Sequence, residues 1–525
     1  MTNIREFIAV NKYGLVTMIF IVIKLSLHFF TNTNYELHRD ELLYFNMGDH
    51  LSFGYATVPP LTGLFAFAVK SVFGYSVFGI RLFPALLGAL SIFIISLIVR
   101  QMGGGLTALV IAASSFLLSP GFLLIDSLFT PNVFEHFLWL LATWLILKIT
   151  TEGRPEFWLP AGLVLGIAFM FKYSVVFFIA GFFFVIVFSQ YKKYLRSWYF
   201  YAAIIAGVII ITPNLIWQSG HGWPVVFHMS ELNRTQLSDM DPGTFLTDLL
   251  SLNLAATFVW LFGLLSLLFF REEKRYRFLG AASLMVIMLF ILMKGKGYYV
   301  LGVIPFLFAS GGYAIEKYLS GRVKPLRNLI LTLIAAVSLV AMPTGLPLLS
   351  LEEFTHYRTK TDFLKIYPFY RWEDSKVHAI SQVYADMTGW SELAEHVAGA
   401  YYTLTEDERK ECTIFGLRNY GYAGAVHFYG HKYGLPEPVT FHESYVYWAP
   451  DTIPSGPMIY INYDKDDIDE LFNEVTEAGC VRNEYFREKG LKIFLCRSPK
   501  TDIREVYRNL AIREKVKMEV SALPD

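Results

Sequence analysis

The amino-acid sequence predicts a polytopic α-helical membrane protein that ends in a soluble α/β domain. Three observations carry that prediction. Of 525 residues, 54% are hydrophobic and only 17% charged, too apolar for a water-soluble chain of this length. The apolar residues gather into eleven runs between residues 13 and 349. Beyond Ser350 the apolar stretches become short and are broken by charged residues, Gly and Pro.

The first run, 13–30, is longer than a signal-peptide core. It is followed by Thr31, Asn32 and Thr33, with no small-residue cleavage pattern, so it is expected to remain as a transmembrane helix. Further runs fall at 80–99, 106–124, 133–149, 157–171 and 174–188. The remainder lie at 198–211, 254–270, 278–293, 299–315 and 326–349. Several hold only about 15 apolar residues, short of the roughly 20 that cross a bilayer, so neighbouring segments must contribute. With the N-terminus inside, the inner loops carry sixteen Lys and Arg and the outer segments seven, which supports that orientation. An odd number of spans then puts the tail outside.

The tail, 350–525, has single-domain size. Short apolar stretches at 412–415, 458–461 and 491–495 alternate with helical patterns at 390–404 and 422–433, the signature of a small α/β domain. All three cysteines, Cys412, Cys480 and Cys496, lie here. A disulfide is compatible with an outer compartment, and three free buried thiols fit equally well. His427, His442 and the Asp464, Asp466, Asp467 cluster match no zinc or calcium motif, and read as core histidines and a helix cap. The formal net charge of zero gives no electrostatic case for nucleic acid; membrane lipids are the partner that composition implies.

Candidate chemistry lies in the outer loops. The loop 31–79 is long and mixes apolar, aromatic and Pro residues, so interfacial helices are expected in it. It carries the acidic pair Asp40 and Glu41, which point about 100° apart on a helix and so should not share one role. The next outer turn carries Asp126, with Thr130 and Pro131 as cap and first residue of the following helix. Asp126 reads equally as a turn-stabilising carboxylate or as a substrate or metal contact. Cations come later: Lys172, Arg234, and Lys294 and Lys296 in KGKGYY beside Tyr298 and Tyr299. The two KGKG lysines also fit interfacial snorkelling. Acidic groups early and basic groups late suit a site that activates a hydroxyl and stabilises a departing phosphate.

RDELLYF at 39–45, GYATVPPL at 54–61, Asp126, FKYS at 171–174 and KGKGYYVLGVIPFL at 294–307 together resemble bacterial GT-C glycosyltransferases. The resemblance is to the family-39 group that includes protein O-mannosyltransferases and lipid A aminoarabinose transferases. In the tail, DMTGW, NYGYAGAVHFYG and YGLPEP resemble uncharacterised bacterial members. The resemblance implies a GT-C catalytic domain over 1–349 and a periplasmic domain over 350–525, in a bacterial inner membrane. It implies inverting transfer of a sugar from a polyprenyl-phosphate carrier to an envelope acceptor, with Asp40 as base and Glu41 and Asp126 as further acidic candidates. Lys294, Lys296, Tyr298, Lys172 and Arg234 are the candidates for the donor phosphate. Some relatives use a divalent cation and others do not; Asp40 and Asp126 are the candidate ligands. A transporter or lipid flippase, and a noncatalytic envelope scaffold, are the alternatives. The clearest charge inside a span is Lys24, and no internal repeat is evident.

Overall fold

The computed structural model describes residues 2–238, 240–364 and 367–520; the last five residues of the expected tail domain, 521–525, lie outside them. The chain divides into two compact units. One comprises Met1–Asn32, Arg81–Pro213 and Asn233–Ser350, and the other Thr33–Ile80, Asn214–Leu232 and Leu351–Asp525.

The first unit is a helical bundle whose outer face is apolar. Ile205, Ile209, Phe183, Phe184 and Phe269 are among many large hydrophobic side chains exposed on it, a distribution that only a lipid environment makes favourable. The chain is therefore a multi-pass membrane protein. Among the described residues six helices are long and apolar enough to cross a membrane: Asn11–Thr31, Val77–Met102, Pro131–Glu152, Trp198–Gly220, Pro242–Phe269 and Gly321–Thr344. A seventh span results if Val175–Val187 is joined to Gln190–Arg196 across a 109° bend. The eleven runs are not all matched by helices of full length. Leu106–Leu118, Pro155–Phe171 and Arg277–Leu292 are apolar but shorter, so hydropathy alone does not make spans of them.

Small residues let the bundle close tightly. Gly263 faces the Leu307 carbonyl and Gly311 faces the Val259 carbonyl, each too close to admit a Cβ. The Thr257–Phe269 and Ile304–Tyr318 helices thus meet backbone to backbone. Pro131 opens the Pro131–Glu152 helix with Thr130 at the cap position, as the spacing predicts.

The second unit is built on a four-stranded sheet. Its strands are β1 (Thr413–Gly416), β2 (Met458–Asn462), β3 (Phe472–Cys480) and β4 (Lys492–Pro499), in the order β1-β2-β4-β3. β1 and β2 are parallel, with Thr413 opposite Met458, and the other pairs are antiparallel. Every residue of β1 and β2 is buried, so both read as continuous apolar runs, whereas β3 is an edge strand with a mostly exposed polar face. The Ile503–Val520 helix packs Ile503, Tyr507 and Ala511 into the same core as Phe415, Tyr460 and Phe494. All three cysteines are free thiols. Burial pushes those of Cys412 and Cys496 up to about 12, which leaves them inert.

A second core joins Leu43, Met47, Tyr55 and Val58 of the early loop to Ala423 and Tyr445 of the tail. The short Arg39–Asn46 helix lies against the Tyr420–Gly430 helix so closely that a Cβ at Gly424 would stand 2.7 Å from Leu42 Cβ. The residues around Asp40 are therefore supported by the tail.

Candidate active site

In the second unit, the Arg39–Asn46 helix begins with a capping box. His38 Nδ1 accepts from the Asp40 amide at 3.1 Å, and the Glu41 carboxylate accepts from the His38 amide at 2.8 Å. Glu41 is fully buried by this role, which holds the start of the helix. Asp40 points elsewhere and keeps 35% of its side chain exposed. Its Oδ1 accepts a hydrogen bond from the Tyr420 hydroxyl at 2.5 Å, with Arg39 Nε at 3.7 Å and His38 Nδ1 at 4.0 Å from the carboxylate. Behind it Asp386 is held by Arg487 at 3.1 Å and lies 3.8 Å from His38 Nε2. An accessible, oriented carboxylate can accept a proton.

The same unit holds a second polar cluster that sequence reading did not single out. Asp49 pairs with His427 at 2.8 Å and with Lys70, which also donates to the Tyr75 hydroxyl at 2.7 Å. Burial opposes ionisation of Asp49, but the bonds from His427 and Lys70 outweigh it and lower its pKa to about 2. His427, expected to be a core histidine, is in fact this carboxylate's partner. The expected cap at Asp464–Asp467 also differs: the short Asp466–Asp469 helix has Lys465 at its cap position.

In the first unit, Asp126 is completely buried. Lys24 Nζ lies 2.7 Å from its Oδ2 and His136 Nε2 2.7 Å from its Oδ1, while Lys24 also donates to the Phe122 carbonyl at 3.1 Å. Gly88 makes room for this network: a Cβ there would stand 2.5 Å from Asp126 Oδ2 and 2.9 Å from Lys24 Cε. The two groups that sequence reading treated apart, an acid in a turn and a lysine in a span, neutralise each other.

The candidate cations fall into two clusters of this unit. Lys172 donates to Asn132 at 2.7 Å and Glu135 at 2.6 Å, with its ammonium 5.0 Å from the Tyr299 ring centre and 5.9 Å from that of Tyr298. Ser174 of the FKYS segment bonds the other oxygen of Glu135. Lys294 donates to the Ser238 carbonyl at 2.9 Å and Lys296 to Gln236 at 2.6 Å, so both reach the turn that carries the exposed Arg234. Lys294 adopts a left-handed φ of 54°, a strained conformation for a residue with a Cβ. Glu135, Asn132 and Tyr420 are the polar partners that sequence reading missed. Among the described residues no group of three or more His, Cys, Asp or Glu is placed to hold a metal ion. The carboxylate of Asp126 is committed to Lys24 and His136, so the residues do not fit a resident cation.

This architecture is the GT-C glycosyltransferase fold. Residues 57–217 match the model of the dolichyl-phosphate-mannose-protein mannosyltransferases. The chain superposes on ArnT from Cupriavidus metallidurans bound to undecaprenyl phosphate with a TM-score of 0.66. Identity is 13%, over 92% of this chain and 98% of that one. The apo form of the same enzyme gives 0.66 at 14% identity with the same coverage. The archaeal oligosaccharyltransferase AglB from Archaeoglobus fulgidus, in complex with an inhibitory peptide and a dolichol-phosphate, gives 0.50 at 13% identity over 86% of this chain and 70% of that one. No curated protein matches by sequence. The likeness read from the five motifs is thus borne out at the level of the fold.

Proposed function

We propose that the protein is an inverting glycosyltransferase that moves a sugar from a polyprenyl-phosphate carrier to an acceptor at the periplasmic face of a bacterial inner membrane. The observation that carries this reading is Asp40, a partly exposed carboxylate anchored through one oxygen by Tyr420. The likeness to an ArnT structure that holds undecaprenyl phosphate supports the donor class, and the excess of Lys and Arg in the inner loops supports the orientation.

Asp40 takes the proton of the acceptor hydroxyl as that oxygen bonds to C1 of the sugar. The C1–O bond to the phosphate breaks, its electron pair leaving with the polyprenyl phosphate, and C1 inverts. Glu41 holds the helix that presents Asp40, and Asp126 braces the bundle. The added negative charge on the leaving phosphate calls for cations, the role assigned to Lys172, Lys294, Lys296 and Arg234, with Tyr298 beside them. A transport reading would call for key ionisable groups near the midplane together with an internal repeat, and the sequence shows no such repeat.

The test is release of polyprenyl phosphate by the reconstituted protein. Donors are undecaprenyl phosphates carrying mannose, glucose or arabinose, with an envelope extract as acceptor. Release with labelling of the extract, reduced about 10²–10⁴-fold in Asp40→Asn, is the expected result. Turnover that survives intact in Asp40→Asn would sink the assignment of the base.

A further inference from the structure

Tyr420 is one of thirty-one tyrosines and lies 380 positions from Asp40 along the chain. The local sequence nonetheless delivers its hydroxyl to that carboxylate. Asn419 caps the Tyr420–Gly430 helix by accepting from the Gly421 amide at 2.8 Å, which makes Tyr420 the first helical residue and fixes its direction. Asn419 is itself tied to Glu488 at 3.0 Å. A Cβ at Gly421 would stand 2.9 Å from Arg39 Cγ and 2.7 Å from the Trp390 ring, so glycine there lets the helix reach the Arg39–Asn46 turn. Arg39 then covers the Tyr420 ring at 5.3 Å. A capping Asn, a Gly and a covering Arg thus converge on one hydroxyl.

We infer that Tyr420 is a positioning residue for Asp40, so that the C-terminal part of the chain completes the reaction centre. The inference rests on reading Asp40 as the base. The phenol anchors Oδ1, and by donating to the ionised carboxylate it keeps that form favoured. Burial raises the pKa of the phenol well above its ordinary value; Arg39 opposes this and the Asp40 charge adds to it, so the hydroxyl stays protonated and donates throughout the working pH range. Arg39 and His38 face Asp40 from its own turn, and Glu443 faces Tyr420. His442 lies ring to ring with Tyr420 at 5.4 Å.

The test follows carbodiimide labelling of Asp40 against pH by mass spectrometry, using the full chain in lipid nanodiscs. Because the reagent activates the protonated carboxyl, the midpoint reports the titration of Asp40. Tyr420→Phe keeps the ring and its packing, and is expected to raise the midpoint by about one pH unit with the unfolding temperature unchanged. In the release assay the acid limb should move up by the same amount while KM for the donor holds. A folded Tyr420→Phe with an unmoved midpoint overturns the inference. Should that variant fail to fold, 3-fluorotyrosine at position 420, a stronger donor, is expected to lower the midpoint, and an unchanged midpoint overturns the inference equally. The two readings fail separately: activity surviving in Asp40→Asn removes the base, whereas an unmoved midpoint beside an inactive Asp40→Asn removes only the role of Tyr420.

Discussion

Asp40 and Asp126 are both acidic residues of early loops, and the folded chain treats them in opposite ways. Asp126 has no exposed surface, and the Lys24 ammonium meets one of its oxygens and the His136 imidazole the other. Asp40 remains 35% exposed, and its Oδ1 accepts from the Tyr420 hydroxyl with Arg39 Nε 3.7 Å away. A carboxylate neutralised inside a bundle is structural, because moving its proton would strand the charge of its partner. A carboxylate beside solvent can gain and lose a proton at little structural cost.

The largest effect expected from this contrast is at Asp126. Removing its carboxylate in Asp126→Ala leaves Lys24 charged and buried without its partner, a loss of about 3–5 kcal/mol. The unfolding temperature in detergent should fall sharply, and the double variant Lys24→Met, Asp126→Leu should recover most of it, since a buried ion pair contributes little beyond an apolar pair of similar size. If Asp126→Ala unfolds like wild type yet loses turnover, the contrast breaks and Asp126 belongs with Asp40.

A middle case is Asp49, which keeps 30% of its side chain exposed while pairing with Lys70 and His427. Its folded pKa of about 2 lies below the ordinary 3.8. The stabilisation is therefore complete above about pH 4 and is lost as pH falls through about 2. The difference corresponds to about 2 kcal/mol. Asp49→Asn should cost about that much at pH 7, and the gap to wild type should narrow as unfolding is measured progressively below pH 4. A gap that does not depend on pH would mean that Asp49 contributes by packing and hydrogen bonding alone.

The separation of these roles was only partly legible in the sequence. Polytopic character follows from composition, and β1, β2 and β4 were legible as buried apolar stretches. β3 was not: FNEVTEAGC lies at a sheet edge with most side chains in solvent, so it lacks an apolar signature. Among the spans, hydropathy sees an apolar run at 174–188 but not the 109° bend that follows Val187. At the candidate site, RDELLYF marked Asp40 as the candidate base, and the 100° separation of neighbours on a helix already set Asp40 and Glu41 apart, as their different hydrogen bonds now do. Tyr420, Glu135 and the pairing of Lys24 with Asp126 are contacts between residues far apart in the chain, and a single sequence holds no record of such distances.

The smallest predicted effect extends the comparison to cations. Lys24 is wholly buried against Asp126, whereas Lys172 keeps 20% of its side chain exposed although it bonds Asn132 and Glu135. If exposure separates working groups from bracing groups among cations as among acids, Lys172→Ala should weaken binding of undecaprenyl phosphate about tenfold, a change of about 1.4 kcal/mol. The unfolding temperature should fall less than in Asp126→Ala, since Glu135 keeps its bond from Ser174. Glu135→Gln serves as the control, because it removes the charge that Lys172 shares and should tighten phosphate binding if the ammonium is the ligand. Unchanged binding in Lys172→Ala with a lowered unfolding temperature would place Lys172 with Lys24 as a brace, and would leave Lys294, Lys296 and Arg234 to meet the phosphate.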